Sequence, residues 1–259
     1  MANPLFERIR LGHRTSRYPA VAPVLPDRFR GAPVVDAAKC RAGCADCAAA
    51  CPTDAIALAG GSPTVDLGRC LFCTDCVEAC GPGAITHAKD YRLSARSRAD
   101  LTVQGQTALF AKPLDEKLRR LFGRSLKLRQ VSAGGCNACE ADVNVLGTVV
   151  FDLGRFGIQM VASPRHADGL LITGPVTEHM KSALKKTYDA VTPPKLVIAV
   201  GACALSGGPY AGHPEACGGA DAVVPVDLYI PGCPPHPFTI LDGLLRLLGR
   251  LEDQGRLTA

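Results

Sequence analysis

The sequence predicts an α/β protein: a doubly wound, mostly parallel sheet in the C-terminal half, preceded by a small α+β domain rich in cysteine. Three observations predict it. Two cysteine quartets repeat, short apolar runs alternate with helical patterns beyond Lys127, and four further cysteines each follow such a run. A chain of 259 residues with 47% hydrophobic content is long enough for two unequal domains, each with its own core.

Residues 1–34 read as an extended basic arm. The stretch "GHRTSRYPAVAPVLPDRFRGAPVVD" is rich in Pro and Arg and lacks helical or strand periodicity. Such an arm is expected to lie over a neighbour's surface. The start of the chain lacks the apolar core of a secretory signal, and no run approaches the roughly 18 apolar residues of a membrane span. A cytoplasmic protein is therefore expected, with its 13 cysteines reduced and used for metal or redox chemistry rather than disulfides. The net charge of +5 is unevenly placed, with ten Lys and Arg between residues 92 and 129. Aromatic residues are sparse and no nucleic-acid motif accompanies the basic segments, so docking to an acidic neighbour is expected and nucleic-acid binding is not.

Residues 35–95 form the repeat. "CRAGCADCAAACP" carries Cys40, Cys44, Cys47 and Cys51, and "CLFCTDCVEACGP" carries Cys70, Cys73, Cys76 and Cys80. A shift of 29 superimposes Cys44, Cys47 and Cys51 on Cys73, Cys76 and Cys80, and Ala55-Ile56 on Ala84-Ile85. The spacing follows the bacterial two-cluster ferredoxin run, in which three thiolates hold one [4Fe-4S] cube and the fourth crosses to the other. On that pattern Cys40, Cys44, Cys47 and Cys80 hold one cluster, and Cys70, Cys73, Cys76 and Cys51 hold the second. Two departures stand out: three residues rather than two separate Cys40 from Cys44, and Gly81 rather than Pro follows Cys80. Gly43 gives the longer spacer freedom to bulge. Zinc is the alternative for paired cysteines, although zinc modules separate their pairs by longer spacers.

Residues 96–125 read as a basic linker, and 126–259 as the sheet domain. "KLRQV", "GIQMVAS", "GLLITG", "KLVIAVG" and "AVVPVDLYI" read as strands. A helix is expected after "GGCNACE", another at 177–191 with Met180, Leu184 and Val191 inward, and a third at 238–251 with Leu241, Leu244, Leu245 and Leu248 on one stripe. Strands alternating with helices imply a flavodoxin-like parallel sheet covered on both faces.

In such a sheet the loops at the carboxyl ends of the strands share one crevice. Cys136 and Cys139 follow the first strand, Cys203 the 195–201 strand and Cys233 the last, so four thiolates from three loops are expected to converge on a third [4Fe-4S] cluster. Gly134, Gly135, Gly201 and Gly232 lie beside them, where backbone N–H groups would approach sulfur. A thioredoxin-like C-x-x-C motif or a zinc site are the other readings of these residues; the first leaves Cys203 and Cys233 unexplained. Cys217 has no partner left. Glu140, beside the anionic thiolates, is expected to have a raised pKa and to be a possible proton relay, or else to be a helix N-terminal acid. His236 either tunes the Cys233 loop or is solvated.

"GGCNACEADVNVL", "FGIQMVASPRHADGLLITGPVT", "GACALSGG" and "IPGCPPHP" resemble the electron-transfer small subunit of membrane-bound group 4 [NiFe] hydrogenases such as formate hydrogenlyase, with the cluster-bearing subunit of complex I as a relative. The arm and repeat resemble the separate two-cluster ferredoxin subunit of the same complexes, so the chain looks like a fusion of two adjacent subunits. The resemblance implies three [4Fe-4S] clusters, with Cys136, Cys139, Cys203 and Cys233 facing a hydrogenase large subunit that carries the Ni-Fe centre. It implies electron exchange with a ferredoxin or a formate dehydrogenase module. Membrane-arm subunits of a complex I-like assembly would hold the chain at the cytoplasmic face. The alternative is a relay in a complex I-like quinone reductase without Ni-Fe. The Cys136-x-x-Cys139 spacing resembles the hydrogenase side, because complex I subunits carry two adjacent cysteines there.

Overall fold

The structure is a computed structural model that describes residues 3–12, 14–59, 62–105 and 110–251. An N-terminal helix α1 (Pro4–Leu11) begins at Asn3, whose side chain caps the Leu5 N–H, and ends at Gly12. This corrects the expectation of an arm extended throughout. The arm proper runs beyond α1 across this chain's own sheet domain. Ser16 donates its backbone N–H to Val150, and Arg155 donates to the carbonyls of Ser16 and Tyr18.

The cysteine-rich domain follows as β1 (Pro33–Val35), α2 (Asp46–Ala49), β2 (Ile56–Ala59), β3 (Ser62–Asp66), α3 (Asp75–Glu78) and β4 (Ile85–His87). The 29-residue shift is realised in three dimensions, since it carries α2 onto α3 and the start of β2 onto the start of β4. β1 and β4 pair antiparallel; β2, β3 and β5 (Thr102–Gln104) form a three-stranded antiparallel sheet. β5 lies inside the segment expected to be a linker. That segment is built into the fold: Arg96 Nε donates to the Asp227 carbonyl at 2.7 Å, β5 completes the small sheet, and α4 (Glu116–Phe122) packs Phe122 into the core.

The second domain contains β6 (Leu126–Ser132), α5 (Ala138–Val145), β7 (Ile158–Met160), β8 (Gly169–Thr173), α6 (Glu178–Ala190), β9 (Leu196–Val200), α7 (Ala202–Ser206), β10 (Leu228–Ile230) and α8 (Pro237–Leu247). All five strands are parallel in the order β10-β9-β8-β6-β7. Numbered within the domain this is 2-1-3-4-5 read from the β7 edge, the flavodoxin order, whose switch point lies between β6 and β8. β8 and β9 are buried at every residue, which is why they read as unbroken apolar runs. β7 is an edge strand with only Ile158 buried, and of the 222–230 run only the last three residues are strand.

One core unites the two domains. Val65, Leu67, Ile85 and Leu101 of the cysteine-rich part belong to the same buried cluster as Leu170, Ile172, Val197 and Leu184. The opposite face of the sheet packs on α5 and α8. The leucine stripe expected on α8 is buried, but so is the rest of the helix, including Asp242 and Arg246. The arm explains this: it covers the polar side of α8, where the Tyr18 hydroxyl donates to Asp242 at 3.0 Å and Arg246 Nε donates to the other oxygen at 2.8 Å.

Candidate metal centres

In the cysteine-rich domain, α2 and α3 carry Cys47 and Cys76, both buried. The chain then brings the thiols together in crossed sets. Cys40, Cys44, Cys47 and Cys80 line one cavity, closed by Pro63, Pro82 and Ile85. Cys51, Cys70, Cys73 and Cys76 line another, closed by Ile56, Val65 and Leu71. The fourth cysteine of each quartet has left its own set for the other, as the spacing predicts. Gly43 takes a left-handed φ of 75°, which absorbs the extra residue between Cys40 and Cys44.

The backbone also reaches the thiols. Backbone N–H groups reach sulfur at Cys51 from Ala55 (3.2 Å), at Cys80 from Ala84 (3.2 Å) and at Cys70 from Phe72 (3.3 Å). The first two are the same contact in the two copies of the repeat. Burial, and then neighbouring thiols, push Cys70 up to about 12 and Cys76 to about 11. Several thiolates crowded in a dry cavity are unfavourable alone and need cationic iron among them, so the donor set fits an iron-sulfur cluster. Among the described residues no three Cys, His or carboxylate groups are gathered as a single metal ion requires.

The third set is assembled by the parallel sheet. Cys136 and Cys139 lie at the start of α5, Cys203 in α7 directly after β9, and Cys233 in the loop after β10. Asn137 holds the turn into α5 with φ of 70°. A Cβ at Gly201, itself at φ of 89°, would lie 2.4 Å from the Cys139 sulfur. The room left by this glycine is thus occupied by the sulfur itself, a different use from the N–H approach expected. Cys139 is raised by burial and then by Cys203, Glu140, Cys233 and Cys136, and Cys203 is pushed up to about 11 by burial and by Cys233 and Cys136. The four predicted residues therefore share one electrostatic neighbourhood. Cys136 and Cys233 are exposed.

Glu140 is buried (5% exposed) at the switch point between β6 and β8. Its Oε1 accepts from the hydroxyls of Ser132 and Thr173, each at 2.6 Å. Burial alone would raise this carboxyl, but the two hydroxyls outweigh it, and the pKa lies below the ordinary value. The raised pKa expected beside thiolates is not what the local chemistry gives. His236 is not solvated either: its Nδ1 accepts from the Phe238 N–H as the cap of α8, its ring stacks on Phe238, and burial lowers its pKa. Cys217 lines neither thiol cavity of the small domain, and its Sγ donates to Glu178 Oε1 at 3.2 Å.

One relationship had no signal in the sequence. Cys73 and Cys233 line the same cleft of about 500 Å³, with Arg28, Arg30, Asp142 and His236 around it. Although Cys233 is exposed as a residue, its thiol is partly desolvated within the cleft, and this, then Cys136 and Cys73, raises it. His87 holds the Cys73 end in place, with one ring nitrogen 3.0 Å from the Cys73 carbonyl and the other 2.9 Å from that of Gly31.

Comparison with known proteins divides the chain along the same lines. Residues 32–81, which include both quartets, match the 4Fe-4S dicluster domain. Residues 136–247, which begin at Cys136 and end with α8, match the family described as NADH ubiquinone oxidoreductase, 20 Kd subunit. Over 135 residues the chain is 41% identical to the "Probable membrane-bound hydrogenase subunit mbhJ" of Pyrococcus furiosus, covering 52% of this chain and 81% of that one. The chain belongs to the 20 kDa subunit family of NADH ubiquinone oxidoreductase. Two other relatives of this 20 kDa family member come from differently named complexes. Formate hydrogenlyase subunit 7 of Escherichia coli is 43% identical over 156 residues, 60% of this chain, and the chain spans 59% of that subunit's length. An NADH-quinone oxidoreductase subunit of Phocaeicola vulgatus is 40% identical over 151 residues, covering 58% of this chain and 74% of that one. The dicluster match makes this member of the 20 kDa family a [4Fe-4S] protein as well.

Proposed function

We propose that the chain is the iron-sulfur electron-transfer subunit of a group 4 hydrogenase complex of the formate hydrogenlyase kind. The observation that carries this reading is the shared cleft of Cys73 and Cys233, which sets two of the three thiol groups side by side. Similarity to formate hydrogenlyase subunit 7 and to mbhJ supports it. Cys136, Cys139, Cys203 and Cys233 would hold one [4Fe-4S] cluster; Cys51, Cys70, Cys73 and Cys76 a second; Cys40, Cys44, Cys47 and Cys80 a third. When bound, each cluster supplies one-electron redox chemistry.

The protein's own contribution is order and environment. Exposed Cys136 and Cys233 give the first set an outward face, which a large subunit carrying the Ni-Fe centre would cover. Cys73, across the cleft, makes its set the middle station, and Cys47, near both Cys80 and Cys76, leads to the outer one. The outer set faces a ferredoxin or formate dehydrogenase module. Among the described residues no helix is long and apolar enough to cross a membrane; partner subunits of a complex I-like assembly would hold the chain at the cytoplasmic face.

Metal analysis of the complex purified through this chain tests the reading. Nickel, together with more than about twelve irons per copy of this chain (about twelve from its own three clusters, the rest from partners), is the expected result. Iron without nickel would replace the hydrogenase with a complex I-like quinone reductase, and zinc without iron or sulfide would remove both.

A further inference from the structure

Beside the shared core, one guanidinium bridges the two domains. Arg98 lies in the segment between them, and its fork grips Asp66, Nη1 to Oδ1 at 2.6 Å and Nη2 to Oδ2 at 2.7 Å. Its Nε donates to the Leu205 carbonyl at 3.3 Å, in the helix that carries Cys203. Asp66 in turn organises the approach to Cys70: its carbonyl accepts the Cys70 N–H at 3.0 Å, and its Oδ1 accepts from Gly68 at 2.9 Å. A short path of bonded groups therefore runs from Cys70 through Asp66, Arg98 and Leu205 to Cys203. Gly68 lets the guanidinium lie flat on the backbone, because a Cβ there would come 2.5 Å from Arg98 Cζ. Ser206 closes the same seam by donating to the Gly68 carbonyl at 2.9 Å.

We propose that Arg98 is a positioning residue for electron transfer: it fixes the placement of the Cys51/Cys70/Cys73/Cys76 set relative to the Cys136/Cys139/Cys203/Cys233 set. The proposal rests on the relay reading above. The step it serves moves one electron between two sites and makes or breaks no bond, so its rate depends steeply on their separation. The bidentate geometry suits this task, since a planar fork holding a carboxylate permits little rotation. A lysine could keep the charge but could not hold both Asp66 oxygens and the Leu205 carbonyl at once.

The test uses the intact complex with Arg98→Met, Arg98→Lys and Gly68→Ala. Four quantities are read: the spectroscopic signal and the midpoint potential of each cluster, the dipolar coupling between the two reduced clusters, and the electron-transfer rate between them after a light-triggered pulse. All signals should persist at unchanged potentials, while the coupling distribution broadens and the rate falls several-fold in both Arg98 variants. Should Arg98→Met fail to assemble, Gly68→Ala, which displaces the guanidinium without removing it, must show the same broadening. Unmoved coupling and rate with every signal present would overturn the positioning role alone. So would shifted potentials in Arg98→Met that Arg98→Lys restores, because the residue would then act through its charge. Absence of any cluster signal from the Cys203 set in the unmodified chain would overturn the relay and this proposal together.

Discussion

Cys73 and Cys233, 160 residues apart in sequence, line one cleft. One belongs to a repeated loop in the small domain and the other to the last strand-end loop of the parallel sheet. Their proximity turns separate thiol groups into a sequence of stations. It also predicts that the two sets fail independently. Cys203→Ser or Cys233→Ser should lower the iron content from about twelve to about eight per chain and remove one spectroscopic signal, leaving the two others. Cys217→Ser should leave the count unchanged, since that thiol bonds Glu178 and none of the sets. Iron and sulfide analysis with electron paramagnetic resonance reads both outcomes.

That the cysteines gather was legible in the sequence, for a physical reason. Repeated loops bring their cysteines together in the same way, and strand-end loops of a parallel sheet must converge. β8 and β9 were legible because burial on both faces demands unbroken apolar runs. What depended on long-range packing was not. β5 looks like linker because three residues carry little periodicity, and only pairing with β3 makes them a strand. α8 shows an amphipathic stripe, yet its polar side is buried because a segment more than 200 residues earlier lies over it. Glu140 was placed correctly beside Cys139, but the sign of its pKa shift depends on Ser132 and Thr173, hydroxyls contributed by two strands.

Glu140 supplies the second prediction. Its folded-state pKa is depressed, so the stability it contributes is present above the ordinary carboxylate value and is lost as the pH falls through the lower, folded value. From pH 6 to 8 the group stays ionised and should impose no pH slope on the potential of the neighbouring cluster. Glu140→Gln, which removes a negative charge near Cys139 and Cys203, should shift that potential upward. Glu140→Ala takes the acceptor from the buried Thr173 hydroxyl, Ser132 being exposed, and should cost about 1–3 kcal/mol. Redox titration and thermal unfolding separate the two effects.

The arm's anchor supplies the third. Asp242 and Arg246 are 1% and 3% exposed and paired at 2.8 Å. Arg246→Met removes one charged partner from a buried carboxylate and should therefore destabilise, by up to about 3–5 kcal/mol. Tyr18→Phe removes only the hydroxyl bond to that carboxylate and should cost about 1.5–3 kcal/mol. Limited proteolysis should then cut the arm between Ser16 and Pro26 faster than in the unmodified chain.

Tyr18 also fixes a response to alkali. Burial, followed by the Asp242 charge, raises its folded-state pKa well above the ordinary tyrosine value. The stability tied to the neutral hydroxyl is therefore complete below about pH 10, where tyrosine in an unfolded chain begins to ionise, and is lost as the pH rises further. Arm release above pH 10, followed by proteolysis and by tyrosinate absorbance, should be steep in the unmodified chain. In Tyr18→Phe the same transition should lose its steepness, and an unchanged profile would show that another group controls the release.

His236 gives the opposite sign at the other end of the pH scale. Its Nδ1 must be unprotonated to accept from the Phe238 N–H, and burial depresses its pKa. A histidine depressed in the folded state contributes stability that is complete above its unfolded value, about pH 6.5, and declines as the pH falls below it. The α8 cap should weaken as the pH falls below about 6.5, with a loss of about 0.5–2 kcal/mol once protonated. His236→Asn retains a capping acceptor and cannot take up the proton, so its stability should be flat over that interval. Thermal unfolding at several pH values reads the difference. Because the same ring stands in the cleft beside Cys233, the histidine variant should also lose any change in the Cys233-set signal that accompanies the acid transition.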